Sequence, residues 1–378
     1  MAVFTKEGRL VDIDRGSVYP ASITVEQGRI STIKKLKSRS GPYIIPGFID
    51  AHIHVVSSML PPAEFGRLAV THCTVAVVSD PHEIGNVLGV KGVEYMIANS
   101  KQVDLKFYFG APSCVPATDF ETAGAEIDGK GVDYLLAKPE IHYLAEMMNW
   151  PGVIARHPMV MEKINIAQHF QKPVDGHAPG LTGKAAKKYA DAGISTDHEC
   201  FTLEEALEKL NQGMHIIIRE GSAARNFDTL IPLLPKYADK VMFCSDDLHP
   251  DKLVKGHINL LVKRAVTFGI DPLIALQAAC VNPVNHYALN VGLLKQGDPA
   301  DLLLVDDLEN FEVLEVYIQG KQVARNGKTL INRQTSTAPN KFFTGMKDPS
   351  SIQVKAKGNQ IRVICAEDGQ LVTGEAVM

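Results

Sequence analysis

A chain of 378 residues with a formal net charge of −4, 22% charged and 45% hydrophobic, can bury the core of one large domain and a smaller one. It carries no block of Lys or Arg that would serve nucleic acid or an anionic membrane, and no apolar run approaching the ~18 residues of a membrane-spanning helix. The expected partner is a small molecule.

Residues 1–43 alternate apolar and polar positions in short bursts, as in Ser22-Ile23-Thr24-Val25-Glu26, then Gln27-Gly28, then Arg29-Ile30-Ser31-Thr32-Ile33, which predicts hairpin strands. No secretory leader is expected from Met1-Ala2-Val3-Phe4-Thr5-Lys6-Glu7. With no CxxC pair among Cys73, Cys114, Cys200, Cys244, Cys280 and Cys365, the expectation is reduced thiols, small core cysteines and a cytoplasmic location.

The stretch Ile44-Ile45-Pro46-Gly47-Phe48-Ile49-Asp50-Ala51-His52-Ile53-His54 reads as a buried strand ending in two imidazoles on one face. His-x-His alone is a weak signal, because imidazoles also simply hydrogen-bond. Beyond it the βα rhythm of a parallel sheet sets in, with candidate strands at 44–54, 74–78, 105–109, 143–147, 173–177, 194–198, 214–219 and 241–244. Eight strands at this spacing, with no Gly-x-Gly-x-x-Gly after an early one, predict an α/β fold: a closed (β/α)8 TIM-type barrel over 44–289. A helix is predicted at Thr202-Leu203-Glu204-Glu205-Ala206-Leu207-Glu208-Lys209-Leu210, with a Thr cap, leucines toward the barrel and charges on a solvated face. Short strands near 300–306 and 313–321 predict that 290–335 pairs with 1–43 in one flanking β domain, leaving 336–378 as a C-terminal extension with strand-like 361–364 and 371–373.

Barrel enzymes place reactive side chains where strands end. Here those ends hold His52 and His54; Asp80, His82 and Glu83; Glu146; His177; His198 and Glu199; Glu220; and Asp246 and Asp247. Imidazole and carboxylate without thiolate suit Zn, Mn or Fe, and a carboxylate such as Glu146 can bridge two ions. Such a pair acidifies a water and polarises the atom it attacks, the chemistry of a hydrolase or deaminase.

These residues carry a resemblance. Pro46-Gly47-Phe48-Ile49-Asp50-Ala51-His52-Ile53-His54 resembles the amidohydrolase superfamily motif. Ser79-Asp80-Pro81-His82-Glu83-Ile84-Gly85-Asn86, Ser113-Cys114-Val115-Pro116-Ala117-Thr118, Glu146-Met147-Met148-Asn149-Trp150-Pro151, Asp175-Gly176-His177-Ala178-Pro179-Gly180, Asp197-His198-Glu199-Cys200, Arg219-Glu220-Gly221-Ser222 and Phe243-Cys244-Ser245-Asp246-Asp247 are similar to its adenine deaminase family. The resemblance runs collinearly from about residue 44 to about 375.

It implies hydrolysis of adenine to hypoxanthine and ammonia, in purine salvage or adenine catabolism, by two divalent transition-metal ions, Mn2+ first and Fe2+ or Zn2+ next. The implied ligands are His52, His54, Glu146 as bridge, His177, His198 and Asp246, with Asp247 the alternative to Asp246. Asp246, Glu199 and Glu220 are the implied catalytic groups, and His82, Glu83 and Ser222 the substrate-binding ones. A cytoplasmic homodimer acting on a purine, without nucleic acid or membrane, completes the expectation. Two departures stand out: Val56 occupies the place of a family Glu, and the family continues for a further domain past the length of this chain. Alternative readings are a cyclic-amide hydrolase of the dihydroorotase or hydantoinase kind, with Lys138 the nearest lysine to the bridging position, or a non-catalytic paralogue.

Overall fold

The computed structural model describes residues 3–38, 40–118, 120–340, 343–370 and 372–378. Strands β1 (Phe4–Asp12), β2 (Ser17–Glu26), β3 (Arg29–Lys35) and β4 (Tyr43–Pro46) come first. After them come β5 (Phe48–Ile53), β6 (Thr74–Ser79), β7 (Lys106–Ala111), β8 (Ile141–Met147), β9 (Val174–Gly176), β10 (Thr196–Asp197), β11 (His215–Arg219) and β12 (Val241–Cys244). The remaining strands are β13 (Leu302–Val305), β14 (Val313–Ile318), β15 (Lys321–Arg325), β16 (Lys328–Thr329), β17 (Arg362–Cys365) and β18 (Gly374–Val377).

β5 to β9 form one parallel sheet and β10 to β12 another. Parallel bridges from Val174 to Ile194 and from Ile53 to Asp246 join them into a ring, the (β/α)8 barrel. Its strands are buried along nearly their whole length, as parallel strands covered on both faces must be.

The apolar run at 44–54, expected as one strand, serves two sheets. β4 pairs with β1 and β13, whereas β5 opens the barrel. Gly47 marks the break: a Cβ there would stand 2.3 Å from Val75 Cγ1, so only glycine lets the chain pass at that distance. The flanking sheet has the order β16-β15-β14-β13-β4-β1-β2-β3, joining strands from both ends of the chain. In the extension, β17 and β18 make an exposed hairpin. Its second strand starts at Gly374 rather than at 371–373, and Leu371 lies outside the described residues. Cys365 sits exposed on this hairpin, contrary to the core placement expected of every cysteine, while the other five are buried and all are free.

The helix Leu203–Asn211 forms where expected, with the Thr202 hydroxyl accepting from Glu205 N at 3.2 Å. Its faces are not those expected. Leu203 is exposed, Ala206 and Leu210 are buried, and two charged residues, Glu205 and Lys209, are buried with them.

Enclosure by neighbouring side chains lowers the imidazoles of His72, His142 and His215 to about 4 and that of His286 to about 3, helped by positive neighbours. In the unfolded chain they titrate near ~6.5, so below that pH the unfolded state binds more protons and stability falls as pH drops toward the folded values. The melting temperature of the metal-saturated protein is therefore expected to decline steadily from pH 7 to pH 4. A flat or rising profile would contradict this.

Candidate metal centre

The centre is assembled where barrel strands end. His52 is the last but one residue of β5 and His54 lies just past its end, with their Nε2 atoms 3.1 Å apart. Asp246 lies just past β12, and its backbone is bonded on both sides to the same stretch: its N–H donates to His52 O at 3.0 Å, and His54 N donates to its carbonyl at 3.2 Å. Meeting both bonds puts Asp246 in the left-handed region at φ +52, a conformation aspartate tolerates better than most residues. Its Oδ1 then lies 3.7 Å from His52 Nε2 and 3.4 Å from His54 Nε2. Asp247 turns away and accepts from the Ser57 hydroxyl.

Glu146, near the end of β8, spreads its two oxygens. Oε1 is 3.4 Å from His54 Nε2, while Oε2 is 2.6 Å from His177 Nδ1 and 3.2 Å from His198 Nε2. With Oε2 also 4.0 Å from His52 Nε2, one carboxylate thus faces four imidazoles of the cluster. A second layer surrounds it. Arg219, buried at the end of β11, donates through Nη1 to Asp246 Oδ2 at 2.7 Å and to Glu199 Oε1, and through Nη2 to Glu199 Oε2 at 2.8 Å. Glu83 Oε1 stands 2.9 Å from His54 Nδ1, and His82 pairs through Nδ1 with Asp80 Oδ2 at 2.9 Å. Below the ligands, Asp50 accepts from Ser245 N at 3.0 Å and Ser245 Oγ at 2.5 Å, and pairs with His257 Nε2 at 2.7 Å.

The donor set fits divalent cations. Burial opposes charge on His54, His177 and His198, yet the surrounding carboxylates, Glu146, Glu199, Glu83 and Asp246 among them, raise all three above the ordinary imidazole value. Burial likewise opposes charge on Glu146 and Asp246, and the imidazoles hold both below the carboxylate range. A pocket of this kind calls for positive charge. Imidazole nitrogens and carboxylate oxygens, crowded without thiolate and within 4.8 Å of one another in overlapping groups, are what such a cation takes as ligands.

Residues 43–323 match the family model described as "Amidohydrolase family". Over 377 residues the sequence is 54% identical to a protein of Salinibacter ruber named "Adenine deaminase", covering 100% of this chain and 69% of that one. A Sulfurovum "Adenine deaminase" is 52% identical over 97% of this chain and 69% of its own length. The chain belongs to the amidohydrolase family, among the adenine deaminases. Solved structures agree in fold: an enamidase at 16% identity and TM-score 0.63, covering 88% of this chain and 99% of that one, and a β-aspartyl dipeptidase at 14% identity and TM-score 0.64, covering 89% and 100%.

In this family member His52, His54, Glu146, His177, His198 and Asp246 come together in overlapping metal-capable groups that also take in Asp80, His82 and Glu199, and Glu83 borders them. Two of the sequence-predicted residues stand apart. Glu220 pairs at 3.0 Å with Arg264, because the chain turns back after β11 and carries that carboxylate toward the helix Ile258–Thr267. The Ser222 hydroxyl accepts from His249 N at 2.9 Å. Neither joins a metal-capable group among the described residues. Lys138 also stays away, pairing with Glu94 at 3.1 Å. Sequence reasoning misses Arg219, although a cation closing the apolar run Ile216-Ile217-Ile218 is a visible sign of a buried ionic role.

Proposed function

We propose that this chain hydrolyses adenine to hypoxanthine and ammonia. The observation that carries the reading is the 54% identity, across the whole chain, to a protein named adenine deaminase, joined to a centre able to hold divalent cations. Water supplies the oxygen that bonds to the amino-bearing carbon, the carbon–nitrogen bond breaks, and nitrogen leaves as ammonia. We assign His52, His54, Glu146, His177, His198 and Asp246 to two ions, Mn2+ first and Fe2+ or Zn2+ as alternatives. When bound, such ions lower the pKa of a water and act as Lewis acids.

The protein's own groups divide the remaining work. Both oxygens of Glu199 are bonded to Arg219, so Glu199 holds charge in place and is a poor proton carrier. Asp246 gives Arg219 only Oδ2, leaving Oδ1 toward the ligands to take the proton from water and pass it to the departing nitrogen. His82 and Glu83 line the adjacent side and are assigned to the purine. We take the enzyme to be a cytoplasmic homodimer of purine salvage, a location that five buried free cysteines suit.

Val56 lies in a short 3-10 turn, Val55–Ser58, rather than on a continued strand, so it does not share a strand face with His54. Glu83 already provides a carboxylate at His54. Wild-type protein is therefore expected to release ammonia from adenine, and Val56→Glu to bring no gain, whereas Glu83→Ala should cost on the order of 1–3 kcal/mol of transition-state binding by leaving a partner unpaired. A purine panel scored for ammonia release after loading with Mn2+, Fe2+ or Zn2+ checks both the variants and the activity. No ammonia from any purine would sink the enzyme reading.

A further inference from the structure

The charges expected on a solvated helix face are the strongest unexplained feature of the molecule. Lys209 is 0% exposed, and its ammonium donates to Ala178 O at 2.7 Å, Asp197 Oδ2 at 2.9 Å and Glu205 Oε1 at 2.8 Å. An ammonium has three donors, and all three are used. Ala178 is the residue after His177, and Asp197 the residue before His198. The same two loops are gripped again by the partners of Lys209. Asp197 Oδ1 accepts from Glu199 N at 2.7 Å, and Glu205 accepts from Gly180 N at 2.9 Å through Oε1 and from Phe201 N at 3.1 Å through Oε2.

β9 and β10 are only 3 and 2 residues long, so strand pairing contributes little to the placement of the loops beyond them. From these contacts we infer that Lys209, with Glu205 and Asp197, is a positioning residue that ties the β9 and β10 loops together and sets the spacing of His177 and His198. The inference rests on the assignment of these histidines as metal ligands. A buried ammonium cannot shift without abandoning an acceptor in a medium that supplies no replacement, so the spacing is held rigidly.

The test is metal binding by the full chain, with elemental analysis, Mn2+ titration and electron paramagnetic resonance as readouts. Wild type is expected to hold two Mn2+ with an exchange-coupled signal. Lys209→Met is expected to keep the ion on the His52, His54 and Asp246 side, to bind the other ~10–100-fold more weakly, as loss of a supporting partner does, and to show isolated-ion signals. Asn282→Ala is the stability control, since it removes hydrogen bonds to Ala238 O at 2.7 Å and Val241 O at 2.6 Å at the opposite end of the barrel, and it is expected to keep the coupled pair. Should Lys209→Met fail to fold, Glu205→Gln serves instead, because an amide cannot accept on both arms and one loop N–H loses its partner.

Wild-type affinity for both ions in Lys209→Met or Glu205→Gln, or equal loss of coupling in Asn282→Ala, would overturn the positioning role alone. A wild type that binds no ion would overturn the metal assignment and this inference with it.

Discussion

Glu146→Gln is expected to empty both halves of the centre together. The Glu146 side chain is 3% exposed, and its oxygens reach different ligands, Oε1 toward His54 and Oε2 toward His177, His198 and, at 4.0 Å, His52. Glutamine keeps one oxygen and turns an N–H2 toward imidazoles that need an anion, so one half loses a ligand and the other a neutralising charge. Metal affinity should fall by more than the ~10–100-fold typical of a supporting residue, and turnover should vanish with it. Elemental analysis and ammonia release on the same preparation decide the matter. Loss of a single ion would show that Glu146 serves one half only.

Asp246→Asn is expected to act on turnover rather than on substrate binding. Only Oδ1 of Asp246 is clear of Arg219, and an amide there cannot receive a proton, so kcat should drop on the order of 10²–10⁴-fold while KM changes little. Kinetics at saturating metal are required, because Asp246 is also assigned as a ligand. Normal turnover in a metal-replete Asp246→Asn would pass the proton role to a neighbour, with Glu83 better placed than the Arg219-bound Glu199.

Much of the barrel is legible in the sequence because parallel strands covered on both faces leave continuous apolar runs, and because the residues that end those runs, His54, Glu146 and His198, are conspicuous in such company. The first strand reads too long because burial continues across two sheets through Gly47, and hydrophobicity alone does not register a change of sheet. Glu220 escapes its expected place for a different reason. A polar residue just past a strand can turn to either side of its loop, and Arg264, far away in sequence, decides the direction. The helix charges mislead because periodicity distinguishes apolar from polar positions and is blind to a buried polar partner. Lys209 sits at a polar position of the pattern and is fully enclosed, since Asp197 and Glu205 are enclosed with it.

The bridge from Ile53 to Asp246 joins the first and last strands of the ring, and the proposed ligands stand on both sides of that seam. His52 and His54 belong to one lip of the closure and Asp246 to the other, with the Asp50, Ser245 and His257 contacts lying just beneath. A cation held between them would add to the backbone hydrogen bonds that already close the seam, so that metal binding would also stabilise the closed cylinder by mass action. A substitution that weakens metal binding here would then lower the stability of the closed barrel together with the activity.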